Sequence, residues 1–360
     1  LKDVFHGLDN ECILAAAEST GLRATGRVIQ LNSMENRVYS VEMEEESVVV
    51  KFYRPGRWTR ENLLAEHALA LLLQEENIST PKYHAIVDDE YAVDSSTVFE
   101  RIFRPHIPWK TYNGRTLGKL GSWYFCVWEK VAGRSPLEMN VEDLRRAGRL
   151  IARMHNLFES GIDTDHFPRH RLATDYFLND ALAHLEEWGG IPRNIEAQIF
   201  DIAEELLAGL SWLDGCMDFI PVHGDLHRLN LIQTRDGGEF WMVDFDDSYL
   251  GAEIQDLWLL ASACDVSGEV PPESGQTAID FLREGYELLR RLPEGSETLI
   301  EPLRTLRMVH YMGWIARRWK EDELFRTTFT FFPTERYWED TLQDLEKQKA
   351  LLESEGLLHF

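Results

Sequence analysis

Two short segments carry side chains able to do chemistry together: Val222-His-Gly-Asp-Leu-His-Arg-Leu-Asn230 and Phe240-Trp-Met-Val-Asp244-Phe-Asp-Asp247. A strand end, a polar loop and a second strand ending in acids would bring Asp225, Asn230 and Asp244 within reach of one point. Phosphoryl transfer needs such a set: a carboxylate facing an acceptor hydroxyl, and hard oxygen ligands for the Mg2+ that bridges nucleotide phosphates. Two other readings compete. Asp and Asn cap turns between helices as a matter of routine. His223, Asp225 and His227 alternate along an extended segment and would suit the zinc of a metal hydrolase, but that reading leaves Asn230 and Asp244 unexplained, and His223 is more simply a loop-packing residue.

The Asp-x4-Asn spacing is that of the protein-kinase catalytic loop H-R-D-x-x-x-x-N, with Gly224 in place of the Arg. Upstream, Val48-Val-Val-Lys51 resembles the V-A-I-K strand whose Lys meets the α- and β-phosphates of ATP, and Glu66 on the next helix is placed to hold that Lys. Read alone, Lys51 is equally a surface lysine at a strand end. The turn before it reads Asn32-Ser-Met-Glu-Asn36 and lacks G-x-G-x-x-G, so any phosphate cover must use the Ser33 hydroxyl and backbone amides. Gly114-Arg-Thr-Leu-Gly118-Lys119 looks like a P-loop but is not one, because the glycines are too close and Leu120 stands where Ser or Thr belongs.

The elements that must position these residues are legible from periodicity. A short helix over Asp9–Thr20 precedes strands at Arg27–Leu31, Arg37–Val41 and Val48–Tyr53, and apolar residues at helical spacing mark a helix over Thr59–Gln74. Further strands are expected at Tyr83–Val87 and Ser122–Glu129, giving a five-stranded sheet decorated by a polar insertion over about 88–121. Asn140 with Asp143 announces a helix to about Phe158. Beyond it helical patterns recur at 174–188, 194–213, 252–264, 276–291, 297–319 and 336–353, interrupted by a strand pair near 231–234 and 240–243. The expected division is a nucleotide-binding lobe over 1–130 and a catalytic helical lobe over 131–360, joined near Glu129–Arg134, with the site in the cleft between them.

Composition excludes several classes. With 360 residues, 44% hydrophobic and 28% charged, the chain is neither disordered nor a membrane protein. Its 62 acidic against 37 basic side chains give a charge of -25, a field that repels nucleic acid. Cys12, Cys126, Cys216 and Cys264 are far apart and form no CxxC pair, which argues against a disulfide framework and points to a reducing cytosol. The first residues lack the basic and apolar regions of a secretory signal, although the chain starts at Leu1 and a trimmed leader stays open. The expectation is a cytoplasmic monomer.

On these motifs the chain resembles the aminoglycoside phosphotransferase and choline kinase relatives of protein kinases. Within that branch it is similar to the stress response kinase A family of bacterial Ser/Thr protein kinases, through Asn32-Ser-Met-Glu-Asn-Arg-Val-Tyr39, Val49-Val-Lys-Phe-Tyr-Arg-Pro55, Gln255-Asp-Leu-Trp258 and Glu301-Pro-Leu-Arg304 with Arg317-Arg-Trp319. The resemblance implies an α+β, bilobal protein kinase-like fold with a small β-rich N-lobe and a larger, mainly helical C-lobe. It implies Asp225 as proton acceptor, Asn230 and Asp244 as Mg2+ ligands with Asp244 catalytic as well, Ser33, Lys51 and Glu66 on the ATP side, and Asp256 as a brace for the catalytic loop. Leu229 and Arg228 depart from the family's usual Gly and small residue or Pro, and the 88–121 region is longer.

The expected activity is ATP- and Mg2+-dependent transfer to a Ser/Thr hydroxyl of a protein. The alternatives are a small-molecule kinase of aminoglycoside, choline or homoserine type, and a pseudokinase, against which the intact Asp225, Asn230, Asp244 and Lys51 speak. Asp246 and Asp247 are open between a second cation, an acceptor contact and a plain turn, and with Glu253 they would suit an acidic acceptor pocket. The Arg and aromatic residues from Arg304 to Trp319 are expected to pack and pair without chemistry.

Overall fold

The structure is a computed structural model that describes residues 4–107, 115–235, 237–266 and 275–359. The β-branched run at 48–50 lies in the middle of a sheet made of β1 (Ala24–Leu31), β2 (Arg37–Met43), β3 (Ser47–Phe52), β4 (Gly118–Leu120) and β5 (Trp123–Glu129). The strand order is β1-β2-β3-β5-β4, with every neighbouring pair antiparallel. As the central strand, β3 is buried from Val48 to Phe52 on both faces, so Lys51 enters the interior with its apolar neighbours. Helix α1 (Asn10–Glu18), capped by the Asp9 side chain, packs on this sheet.

The sequence places one strand wrongly. Tyr83–Val87 contributes only a single bridge, Tyr83 to Trp128, and the fifth strand is β4 instead. The free edge of β5 is shared: Gly118–Leu120 pairs with 123–125, while Glu129 and His84 exchange backbone bonds with Lys82 and Val127 farther along. Neither segment can claim the whole edge. The glycine of the P-loop look-alike has a packing reason, since a Cβ on Gly118 would collide with the Phe125 ring. Its companion Gly114 lies outside the described residues. The insertion over 88–121 is more than a polar loop, because it contains β4 and a short helix α3 (Ser96–Ile102).

Helix α2 (Arg60–Glu75) starts at a Thr59–Asn62 capping box and is buried without a break from Leu63 to Leu73. A helix apolar all round belongs in an interior, so the two polar residues within that run, Glu66 and His67, must find partners there. Helix α4 (Val141–Gly161) begins at the expected Asn140–Asp143 box and runs on past Phe158.

The chain divides into two compact units. Gly7–Arg169 and Ile220–Leu292 form one, and the first six residues, His170–Phe219 and Pro293–Phe360 form the other. The first unit also holds β6 (Gly133–Arg134), β8 (Leu231–Thr234) and β9 (Phe240–Met242) in one small sheet, and β7 (Ile220–Val222) paired with β10 (Tyr249–Gly251), a pair the sequence did not announce. Its helices α7 (Ile254–Ser262) and α8 (Ala278–Tyr286) follow, the latter packed on α4.

The other unit is helical: α5 (Asp180–Trp188), α6 (Glu196–Leu210), α9 (Ile300–Glu321), α10 (Glu323–Thr328) and α11 (Glu335–Ser354). Here the Arg and aromatic residues of α9 do pack and pair. Arg304 meets Glu301 at 3.2 Å, Arg317 meets Glu321 at 3.3 Å, and Trp314 lies edge-on to Phe325 and Phe329.

Candidate active site

Strand β7 delivers the chain to His223-Gly224-Asp225. Gly224 has φ +80, and a Cβ there would run into the Asp247 carbonyl oxygen, so this turn requires glycine. The buried Asp256 of α7 accepts the backbone N–H groups of His223 at 2.8 Å and Gly224 at 3.0 Å. Its Oδ2 also lies 3.0 Å from His155 Nε2, and His155 Nδ1 lies 2.9 Å from the Tyr286 hydroxyl. Asp256 thus braces the loop as the resemblance implies, and His155 and Tyr286 brace Asp256. Gln255 adds a bond to the Gly224 carbonyl at 3.3 Å.

Downstream, the loop ends in a 3-10 turn over Arg228–Asn230. Asn230 Nδ2 donates to the Asp225 carbonyl oxygen at 2.9 Å, and the Val243 N–H donates to the Asn230 carbonyl at 3.0 Å. His223 Nε2 donates to the Val243 carbonyl at 3.0 Å. Among the described residues no group of three or more His, Cys, Asp and Glu is placed to hold an ion by itself, which speaks against the zinc reading of His223, Asp225 and His227.

Asp244 has φ +66, a rare conformation for a residue with a side chain. It turns its half-exposed carboxylate to Lys51, whose Nζ lies 2.9 Å from Asp244 Oδ1, 2.9 Å from Glu66 Oε1 and 3.7 Å from Asp246 Oδ1. Burial opposes the ammonium charge, but the three carboxylates overcome it and hold the Lys51 pKa well above the usual value. Glu66 fares differently. Burial, helped by Asp246 and Asp244, pushes its carboxyl up to about 7 despite Lys51 and Arg169. The neighbouring His67 is tied between Tyr53 OH at 2.9 Å and Thr116 Oγ1 at 2.8 Å.

The sequence left Asp246 and Asp247 open, and the structure gives both to Arg57. Asp246 is buried, accepts from Asn36 Nδ2 at 3.0 Å, and offers its backbone carbonyl to Arg169 at 2.6 Å. Burial works against its charge, yet Arg57, Lys51 and Arg169 hold its carboxyl well below the usual range. Glu253 is likewise buried and paired with Arg290. The acidic acceptor pocket expected from Asp246, Asp247 and Glu253 is therefore mostly neutralised by arginines. Sequence reasoning missed Arg57, Arg169 and His155, although Glu66 and Asp246 cannot be buried beside Asp244 and Asp247 without cations to match.

Ser33 sits in the β1–β2 turn, where its Oγ accepts the Asn36 N–H at 3.3 Å. The structure thus joins Lys51, Glu66 and Asp244 directly, ties Asp225 to Asn230 through the loop, and reaches Ser33 through Asn36 and Asp246.

Residues 27–292 match the model of the phosphotransferase enzyme family. Stress response kinase A from Escherichia coli O157:H7 is 32% identical over 355 residues, 97% of this chain and 95% of that protein. Serine/threonine protein kinase RdoA from Salmonella typhimurium is 30% identical over the same share of both chains. Among solved structures, amicoumacin kinase hAmiN in complex with AMP-PNP, Ca2+ and Ami superposes with a TM-score of 0.66 at 18% identity, covering 93% of this chain and 94% of that one. The fold is accordingly the α+β, bilobal protein kinase-like one, with a small β-rich N-lobe and a larger helical C-lobe. The chain belongs to the phosphotransferase enzyme family, among its stress response kinase A members.

Proposed function

We propose that this chain transfers the γ-phosphoryl group of ATP, with Mg2+, to a Ser or Thr hydroxyl of a protein substrate. The observation that carries the reading is the buried Lys51, bonded at once to Glu66 and Asp244 at 2.9 Å in the same unit as the Asp225–Asn230 loop. In this reading residues 1–130 form the nucleotide-binding lobe and 131–360 the catalytic one, and the enzyme works as a cytoplasmic monomer. Among the described residues no helix is long and apolar enough to cross a membrane.

The donor set suits magnesium. Mg2+ is held by one or two protein oxygens plus substrate phosphates and waters, and Asp244 with the Asn230 amide oxygen supplies that many. When bound, the ion neutralises charge on the phosphate oxygens. The side chains do the rest. Lys51, held by Glu66, contacts the phosphates, and Ser33 covers them from the β1–β2 turn. Asp225, whose Oδ2 lies 3.6 Å from His227 Nε2, accepts the proton of the attacking hydroxyl, its loop kept in place by backbone bonds.

The serine/threonine protein kinase named among the relatives supports a protein acceptor. A small-molecule hydroxyl acceptor is the second reading, favoured by the likeness to a kinase of amicoumacin. Labelled ATP offered with histone, myelin basic protein, the enzyme itself, choline, aminoglycosides and homoserine separates the two. Labelling of Ser/Thr that disappears in Asp225→Asn is expected; robust turnover of one small molecule with no protein labelled would hand the site to the second reading.

A further inference from the structure

The β1–β2 turn poses a mechanical problem. Phosphate-covering turns are commonly built from glycines, whose backbone can approach the ligand and hold positive φ, and Asn32-Ser-Met-Glu-Asn36 has none. Something other than intrinsic turn geometry must hold it at a fixed height. The structure supplies an anchor from far along the chain. Asn36 is 3% exposed, its Nδ2 donates to Asp246 Oδ2 at 3.0 Å, and its Oδ1 accepts the Arg54 N–H at 3.0 Å. Its own N–H donates to Ser33 Oγ at 3.3 Å.

The other end of the anchor is equally fixed. Asp246 is 2% exposed and lies just beyond Asp244 on the same 3-10 turn. It is clamped by Arg57, by Lys51 at 3.7 Å, and through its backbone carbonyl by Arg169 at 2.6 Å. A bond between two buried side chains, with Asn36 Oδ1 also accepting from Arg54 and Asp246 Oδ2 also paired with Arg57, leaves little play.

We propose that Asn36 and Asp246 are positioning residues for the nucleotide: the bond between them replaces the missing glycines, holding the Ser33 turn in register with Asp244 and Lys51. This rests on the ATP reading given above. The phosphate cover and the metal-bearing turn then move as one piece, and releasing the bond loosens the grip on ATP more than it slows the chemical step.

The test is a charge-preserving swap. Asn36→Asp sets two carboxylates against each other, Asn36→Ala deletes the bond without adding charge, and the double variant Asn36→Asp with Asp246→Asn restores a donor–acceptor pair with polarity reversed and net charge unchanged. ATP binding is measured by calorimetry in Mg2+ without acceptor, and KM and kcat by labelled-ATP assay. Both single variants should lose about tenfold or more in ATP affinity, mainly as KM, and the double variant should recover most of it. Where Asn36→Asp fails to fold, Asn36→Ala and the double variant carry the comparison. A parent protein that binds no ATP overturns the nucleotide reading and this proposal with it. A parent that binds ATP beside an Asn36→Ala variant that binds it equally well overturns this proposal alone, as does a double variant no better than either single one.

Discussion

His223 Nε2 donates to the carbonyl oxygen of Val243 at 3.0 Å, so the residue that opens the Asp225 loop is bonded to the residue that precedes Asp244. The imidazole thereby ties the Asp225 loop to the segment that carries Asp244. Loop geometry is then held by bonds from His223, Asp256 and the Asn230 amide.

It follows that Asp225→Asn should leave the loop intact. In the proposed reading Asp225 serves the acceptor hydroxyl, so phosphoryl transfer is expected to fall by at least about a thousandfold while ATP affinity stays within a few fold. Single-turnover rates beside calorimetric ATP binding check it. Turnover near that of the parent would remove Asp225 from the reaction.

For Asp244 the informative change is to Asn, which tolerates the observed φ of +66 and so isolates the charge. ATP binding measured with and without Mg2+ should show the magnesium-dependent gain reduced by about tenfold or more. An unchanged gain would mean that another residue carries the ion.

Glu66 links activity to pH. Its carboxyl sits at about 7 in the fold against an ordinary 4.5, so between those values the folded chain holds a proton that the unfolded chain has lost. Stability contributed by this group is full below about 4.5 and declines as pH rises through 7, by on the order of 3 kcal/mol. Glu66→Gln should therefore gain on the parent in melting temperature from pH 5 to pH 8 while transferring phosphate more slowly at pH 8, where Lys51 has lost a charged partner. Parallel melting curves for the two proteins across that range would contradict the assignment.

Regulation is constrained by space. From Asp244 to Asp256 the chain is filled by a 3-10 turn, β10 and the start of α7, which leaves no room for an activation loop. Protein treated with phosphatase should keep its rate. A large loss after that treatment would reveal a regulatory phosphate elsewhere.

Much of this site could be read from the sequence because its parts are local: a strand ending in Lys51, a helix carrying Glu66, and a loop with fixed Asp-to-Asn spacing. The counter-ions could not. Arg57 lies in a connector and Arg169 just after α4, and neither position has a periodicity that reports what it faces. They are found only by asking what neutralises four neighbouring acids. The misplaced strand has the same origin. Tyr83–Val87 has strand composition, but pairing is a property of the partner edge, and the edge of β5 was already divided.

That divided edge bears on how the 88–121 insertion should be studied. Its β4 covers part of β5 and is itself covered, since Val93 and Lys119 exchange backbone bonds with Leu117 and Tyr91. At the opposite margin β1 is irregular between Ala24 and Val28 and exposes Thr25, Gly26 and Arg27, features that discourage strand addition. Trimming the insertion would uncover the stretch of β5 that β4 pairs, rich in aromatic residues, so a shortened chain is expected to self-associate before it reports anything about the segment's role. Light scattering on such a variant belongs ahead of any activity assay.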